Sequence, residues 1–352
     1  TDLDILAVRL HRAPGASGAV DAPLDPALGA GSGADMIVGE VEEGRLKLED
    51  SIRVSAWASQ IGGSQAYLAE NEVFTLEKMM RAIVIHSAND ACTAVAEHIA
   101  GTTDGFVRLM NQEVELLGLE NTHYVNVHGL DDEPGEGNHT TAADIAQVAR
   151  ELVRHPHILD WSSTVEEWFR DPGDGTEGFK LQNTNKLVGQ FSGLDGLKTG
   201  YTSKAGFWLC ATARRNGVRL ISVVLGAHSN RDRFQETAAL LSAGFNGYLP
   251  VRVCKKGDPI PGADAVPVRG GKAKTVSAVA PSDFTVVVSR PDDRRLEKRF
   301  VPAENLRAPV RAGQAVGTLQ VLSGGDIIAE TQVAAAGDVP AAGFLRRLFG
   351  RG

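Results

Sequence analysis

Two short runs carry side chains suited to acyl-transfer chemistry. "HSAND", residues 86–90, holds Ser87 and Asn89 with one alanine between them. A hydroxyl and a carboxamide so spaced can relay a proton and hold a peptide amide. Ser, Asn and Asp are also good helix N-caps, and taken alone the cap is the simpler reading. "GLDGLKTGYTSKAGF", residues 193–207, sets Lys198 and Thr199 ahead of Gly200. Lys198 could offer charge and Thr199 a hydroxyl to a carboxylate, while glycine lets a substrate backbone lie close to a strand edge. The plain alternative is a solvated lysine beside a turn.

The elements that position these runs follow from periodicity. Residues 73–117 and 141–155 have apolar residues at three- and four-residue spacing, which predicts helices. Gly101 and Gly118 fall where helices stop, and Thr140 or Thr141 serves as an N-cap. From Gly193 the texture changes. "GFWLCATARR" and "VRLISVVLGA" flank Asn216-Gly217, a strong hairpin signal, and "GLKTGY" reads as the neighbouring antiparallel strand. A helix, "RFQETAALLSAGFNGY", closes this part, so residues 1–248 read as an α/β (α+β) layer domain. Residues 249–338 read as an all-β, sandwich-like module of short strands. Residues 339–352 put Phe344, Leu345, Leu348 and Phe349 on one helical arc, away from Arg346 and Arg347. That pattern fits a short helix lying on a membrane surface, or a frayed tail.

Composition narrows the function classes. The net charge is −8, with no basic stripe in the main body, which argues against nucleic acid as a partner. Cys92, Cys210 and Cys254 are far apart, lack metal-ligand spacing and sit in or beside apolar segments, so they read as buried free thiols. No metal or other cofactor is expected. No apolar run reaches transmembrane length. No signal peptide is visible, but the chain opens on Thr1, so localisation is not readable from the N-terminus.

Taken together, the two motifs say more. Ser87-x-Asn89 between helices, followed by Lys198-Thr199-Gly200 on a strand, resembles the active-site set of penicillin-binding proteins and serine β-lactamases. "SANDACTAVAEHIAG", "LMNQEVELLGLENTHYVNVHGLDD" and "GLDGLKTGYTSKAGFWL" resemble the D-alanyl-D-alanine carboxypeptidases, the low-molecular-mass penicillin-binding proteins. The resemblance runs from about residue 36 through the β-module and the terminal amphipathic segment. It implies a β-lactamase-like domain with an antiparallel sheet and helices. It also implies hydrolysis of the terminal D-alanine from peptidoglycan pentapeptides ending in D-Ala-D-Ala. A serine in Ser-x-x-Lys attacks, its lysine acts as base, and the acyl-enzyme is hydrolysed. Carried over, Ser87 and Asn89 are catalytic, and Lys198, Thr199, Gly200 and Arg233 bind substrate. Implied partners are the stem peptide, β-lactams if a nucleophile is present, and the inner-membrane surface, in the periplasm.

The first motif departs from the pattern. Asp25-Pro26-Ala27 fits the family's lead-in, and "GRLKLED" fits the segment after its helix. The serine position then falls on Leu28 and the lysine position on Gly31. Ser32 is the nearest hydroxyl, but Asp35 stands three residues on. The chain's Ser/Thr-x-x-Lys is Thr75-Leu76-Glu77-Lys78, too close to "HSAND" to be the missing motif. Residues 9–35 are dense in Ala, Gly and Pro, a poor start for a buried helix. Two accounts compete: a pseudoenzyme that has lost catalysis, and a misread stretch of GC-rich DNA.

Three rival readings remain at this level. His123, His128, Asp131, Asp132 and His139 crowd one loop, as a zinc carboxypeptidase would require, but without tight ligand spacing. A secreted serine β-lactamase would share the motifs but not the β-module and basic tail. A non-catalytic cell-wall protein would hold stem peptides through Lys198 and the β-module.

Overall fold

The computed structural model describes residues 4–10, 22–23, 29–130, 137–173 and 177–343. The chain divides into one unit over Asp2–Phe245 and another from Asn246 onward.

The first unit carries β1 (Asp4–Leu10), β2 (Ala22–Pro23), α1 (Gly29–Glu42), β3 (Ser51–Arg53), β4 (Val73–Thr75), α2 (Leu76–His86), α3 (Asn89–Ala100) and α4 (Thr103–Leu116). It continues with β5 (His139–Thr140), α5 (Ala142–Leu152), α6 (Pro156–Ser163), β6 (Glu166–Arg170), β7 (Phe179–Gln182), β8 (Leu194–Thr202), β9 (Gly206–Arg215), β10 (Val218–Ala227) and α7 (Asn230–Gly247). Its main sheet has the order β1-β10-β9-β8, so β8 is an edge strand. The β8–β9 and β9–β10 pairs are antiparallel as expected, whereas β1 lies parallel to β10. Asn216 and Gly217 both have positive φ, 51° and 82°, which is the twist a two-residue hairpin needs.

Threonines set three helix starts. Thr75 accepts from the Lys78 amide, Thr102 from Gly105 and Thr141 from Asp144. Thr75-x-x-Lys78 is therefore a capping turn, and Lys78 Nζ lies over the Phe74 and Phe169 rings. Residues 73–75, expected as helix, pair with β3 instead. On α2, Leu76, Met79, Met80 and Ile83 are buried at the spacing of one helical face. α1 begins within the glycine-rich stretch, at Gly29, and includes Gly31. Packing overrides propensity there: Ala34, Ile37 and Val38 join the core, and a Cβ on Gly33 would stand 3.0 Å from Phe106.

The second unit carries β11 (Tyr248–Cys254), β12 (Val266–Pro267), β13 (Thr275–Val276), β14 (Ala278–Val279), β15 (Phe284–Ser289), β16 (Leu296–Pro302), β17 (Ala315–Ser323) and β18 (Asp326–Ala335). A four-stranded sheet of order β14-β18-β17-β16 is accompanied by the pairs β11-β15 and β12-β13, all antiparallel. Phe344, Leu345, Leu348 and Phe349 lie outside the described residues. Among the described residues no helix is long and apolar enough to cross a membrane.

Candidate active site

The turn between α2 and α3 is not the side-chain cap that its composition suggests. Ser87 closes α2 in the left-handed region, φ 64°, and Ala88 opens α3 without a side-chain cap bond. A non-glycine residue held there is uncommon and marks a constrained turn. Asn89 anchors the turn to a loop across the site. Its amide donates to Ser64 O at 2.8 Å and its Nδ2 to Gly62 O at 3.0 Å, while Ser64 Oγ donates to His86 O at 2.8 Å. The buried Asp90 carboxylate then accepts the amides of Ala66 and Leu68, each at 3.0 Å. A Cβ on Gly63 would lie 2.5 Å from Asn89 Nδ2, so loop and turn fit only with glycine there.

β8 faces this assembly. Its position rests on a buried polar network behind the strand. Arg219 makes a two-armed pair with Asp195 at 2.9 Å, Ser162 Oγ donates to Asp195 O, and Asn185 Nδ2 donates to Gly196 O. Gly200 lies opposite Trp208 in β9, and a Cβ on it would fall 2.3 Å from the indole. The glycine of Lys-Thr-Gly is therefore required by the sheet itself, besides any approach of a ligand backbone.

An open cleft of about 260 Å³ lies between these elements, lined by Gly63, Ser64, Ser87, Asn89, Leu130, Thr184, Thr199, Gly200, Tyr201 and Arg233. Five residues expected at the site thus share one cleft. Lys198, 9% exposed, is not on its wall. Its Nζ donates to Thr199 O at 3.0 Å, and it lines a separate small apolar cavity of about 30 Å³ with Ala34, Ile83, Leu152 and Leu197. Arg233 Nη1 donates to the Gly200 and Trp208 carbonyls, at 2.8 and 3.2 Å. This arginine holds the two strands together as well as facing the cleft. Of the expected first motif, Gly31 lies in the first turn of α1, while Leu28 falls outside the described residues. Ser64, Thr184 and Tyr201 were not singled out from sequence. Ser64 belongs to no recognisable run, Thr184 sits in the polar stretch "QNTN" ahead of β8, and Tyr201 directly follows Lys198-Thr199-Gly200.

Charge around the site follows burial. Burial lowers the His86 imidazole below its ordinary value, the Gln182 backbone opposes this, and the Lys198 ammonium lowers it further. Cys92 is a free thiol pushed up to about 12 by burial, with Lys198 acting the other way. It donates to Val127 O and is inert as a nucleophile. Cys210 and Cys254 are likewise buried free thiols. Among the described residues no group of three or more His, Cys, Asp and Glu side chains could hold a metal. His123 and His139 are bridge partners with ring centroids 5.8 Å apart, and Asp131 and Asp132 lie outside the described residues.

Comparison with known proteins agrees with this geometry. Residues 34–229 match the family model for D-alanyl-D-alanine carboxypeptidase, and residues 248–341 match the C-terminal domain of penicillin-binding protein 5. The D-alanyl-D-alanine carboxypeptidase DacF of Bacillus subtilis is 34% identical over 311 residues, 88% of this chain and 78% of the relative. DacC of Escherichia coli is 32% identical over 345 residues, 95% and 83% of the two chains. Among solved structures, PBP3 of Streptococcus pneumoniae, described as a peptidoglycan synthesis regulatory factor, superposes with a TM-score of 0.79 at 26% identity, covering 91% of this chain and 93% of that one. Penicillin-binding protein 5 of Haemophilus influenzae gives 0.71 at 26% identity, covering 90% of each chain. With its helices, its edge strand and its cleft in this arrangement, the chain belongs to the D-alanyl-D-alanine carboxypeptidase family.

Proposed function

We propose that the cleft binds peptidoglycan stem peptides ending in D-Ala-D-Ala, and that the residues before 34 decide whether binding proceeds to acyl transfer. The reading rests on the convergence of Ser87, Asn89, Thr199, Gly200 and Arg233 on one cleft beside an edge strand. Thr199 Oγ1 takes the terminal carboxylate, with the charges of Lys198 and Arg233 behind it. Asn89 orients a peptide amide, and Ser87 Oγ is placed to pass a proton to a departing amine. Acyl transfer also needs a nucleophile, and leucine and glycine at positions 28 and 31 supply neither hydroxyl nor base. As written, the chain is a stem-peptide binder that forms no acyl-enzyme.

Calorimetry with a D-Ala-D-Ala peptide tests the binding half. A charge-assisted bond to a carboxylate contributes on the order of 1.5–3 kcal/mol. Thr199→Val removes the hydroxyl assigned to that carboxylate and should therefore weaken binding by about tenfold. Equal affinity in the variant overturns the assignment. Labelling with a fluorescent penicillin tests the other half, and no adduct is expected on this chain.

A second reading is favoured by one observation: the family match begins at residue 34, at the very end of the aberrant stretch 9–35. A site eroding after loss of catalysis would be expected to drift throughout. Here the departure is confined, which supports a natural protein that is an ordinary serine carboxypeptidase and binds β-lactams covalently. Its place in either reading is the periplasmic face of the inner membrane, held by residues 339–352. A tail so short anchors marginally, and deleting residues 341–352 should reduce co-sedimentation with anionic liposomes.

A further inference from the structure

We infer that a basic face of the second unit, centred on Arg269 and Arg307, binds the headgroups of anionic phospholipids and supplies a membrane contact separate from the tail. The inference rests on the proposed place of the chain at a membrane surface. Charge is divided unevenly along the sequence: residues 1–245 hold 20 Lys and Arg against 34 Asp and Glu, whereas residues 246–352 hold 16 against 10. The second unit is thus the positive part of an acidic chain. Within it Arg269 and Arg307 are partners in a parallel bridge, where the Arg269 amide donates to Leu306 O and the Ala308 amide to Arg269 O, each at 2.9 Å. Bridge partners project to the same side, and like charges placed so repel. Lys272 and Lys274 follow within five residues of Arg269. All four are exposed, and among the described residues none of their side chains makes a hydrogen bond or an ion pair. Asp338, close to where the described chain ends, accepts the Ala312 amide instead. Cations gathered without a counter-ion attract an anionic partner.

Backbone geometry says which anion that is. The loop carrying Arg269 and Lys272 also holds the last described residues. Gly271 bridges Ala341, the Lys272 amide donates to Pro340 O and the Ala342 amide to Gly270 O, both at 2.8 Å. A Cβ on Gly271 would lie 2.7 Å from Val339 Cγ1 and 3.3 Å from Ala308 Cβ, so the three segments fit tightly there. The cations are therefore fixed beside the point from which the sequence runs on into Phe344, Leu345, Leu348 and Phe349. That apolar set favours a lipid surface over a soluble polyanion. A short apolar tail anchors marginally, and stable attachment takes a second signal such as a polybasic patch. Each Lys or Arg near an anionic membrane surface strengthens partitioning by roughly fivefold.

The test is co-sedimentation of the full chain with vesicles of equal parts phosphatidylglycerol and phosphatidylcholine, with pure phosphatidylcholine as the neutral surface. Arg269→Gln combined with Arg307→Gln should weaken partitioning onto the anionic vesicles by roughly tenfold or more and leave the neutral ones unaffected. Raised salt should erase most of that difference. Arg269→Lys combined with Arg307→Lys keeps the charge and should keep the binding, which separates charge from any effect on folding. Deleting residues 344–352 leaves the bonds of Ala341 and Ala342 in place and tests the tail by itself. If the deletion changes nothing while the Gln pair weakens binding, the tail reading fails and the basic face is the contact. If the deletion weakens binding while the Gln pair partitions like the unmodified chain, the basic face is overturned and the tail stands. An equal loss on both kinds of vesicle, or binding to dextran sulfate with none to the anionic vesicles, also overturns it. If the unmodified chain sediments with neither kind of vesicle, the membrane reading fails and this inference with it.

Discussion

Gly200 and Trp208 are direct partners across the β8–β9 pair, and the indole fills the space that a Cβ on Gly200 would need, 2.3 Å from its ring atoms. Trp208 is fully buried and has nowhere to move. Gly200→Ala should therefore displace β8 or distort the indole, destabilising the domain by about 1–3 kcal/mol. Because Thr199 is carried on the same strand, peptide affinity should fall as well. Thermal melts and calorimetry on Gly200→Ala, Trp208→Leu and the double variant form a cycle. If steric conflict is the cause, the double variant is less damaged than the two losses added together. Strict additivity would show that the two positions are independent.

Asp90 performs a second positioning task, from the far side of the cleft. Its carboxylate accepts the Ala66 and Leu68 amides, and Arg170 grips the Ala66 and Tyr67 carbonyls at 2.8 and 3.2 Å. Tyr67 between them is held at φ 55°, a strained conformation for a bulky residue. Asp90→Ala leaves two loop amides without their acceptor, a loss on the order of 3 kcal/mol. The Gly63–Ser64 wall of the cleft should loosen with the loop. Hydrogen exchange at residues 64–68 should then speed up, with Asp90→Asn intermediate. Unchanged exchange in Asp90→Ala would mean that the loop is held by something else.

His86 gives the site region a pH dependence whose sign follows from its burial. The folded state holds the imidazole below its ordinary value of 6.5. Lys198 and Lys186 push in the same direction, while Asp90 and the Gln182 backbone oppose. The unfolded chain therefore takes up the proton first as pH falls. His86 costs no stability above about pH 6.5 and progressively more below it, until the folded-state value is passed. Between about pH 7.5 and 5.5 the melting temperature should drop less in His86→Gln than in the unmodified chain. Parallel curves would show that His86 titrates alike in both states.

The parts of this fold legible in the sequence are those where a local rule carries a steep cost. Asn216-Gly217 announces its hairpin because few residues tolerate two successive positive φ angles. Thr141 announces α5 because a missing cap leaves amides unpaired. Ser87 is different. Serine by itself favours the start of a helix, and only the loop held by Asn89 and Asp90, more than 20 residues away in sequence, makes it a left-handed C-cap. The same limit applies to Ser64 and Thr184, which enter the cleft through tertiary contacts and belong to no motif. The parallel seating of β1 and the start of α1 among glycines are also long-range outcomes, set by β10 and by the core around Phe106.

In the proposed reading, positions 28 and 31 bear directly on activity. Removing the serine from a unit of this kind removes nearly all of the rate. With Leu28 and Gly31 in place, the chain should neither release D-alanine from a pentapeptide nor keep a penicilloyl adduct. The polar side of the cleft is nevertheless assembled, because the bonds of Asn89, Ser64, Arg219 and Arg233 are made within residues 62–233. Translating the encoding DNA across residues 9–35 in all three frames is the first measurement. A Ser-x-x-Lys in a neighbouring frame, just after an Asp-Pro-Ala or similar lead-in, would identify an ordinary carboxypeptidase, and a chain carrying that reading should label with fluorescent penicillin. If no frame contains one, the chain is a binder that has lost its chemistry. A penicillin adduct mapped by mass spectrometry to any residue of the present chain would show that Leu28 is not the nucleophile position at all.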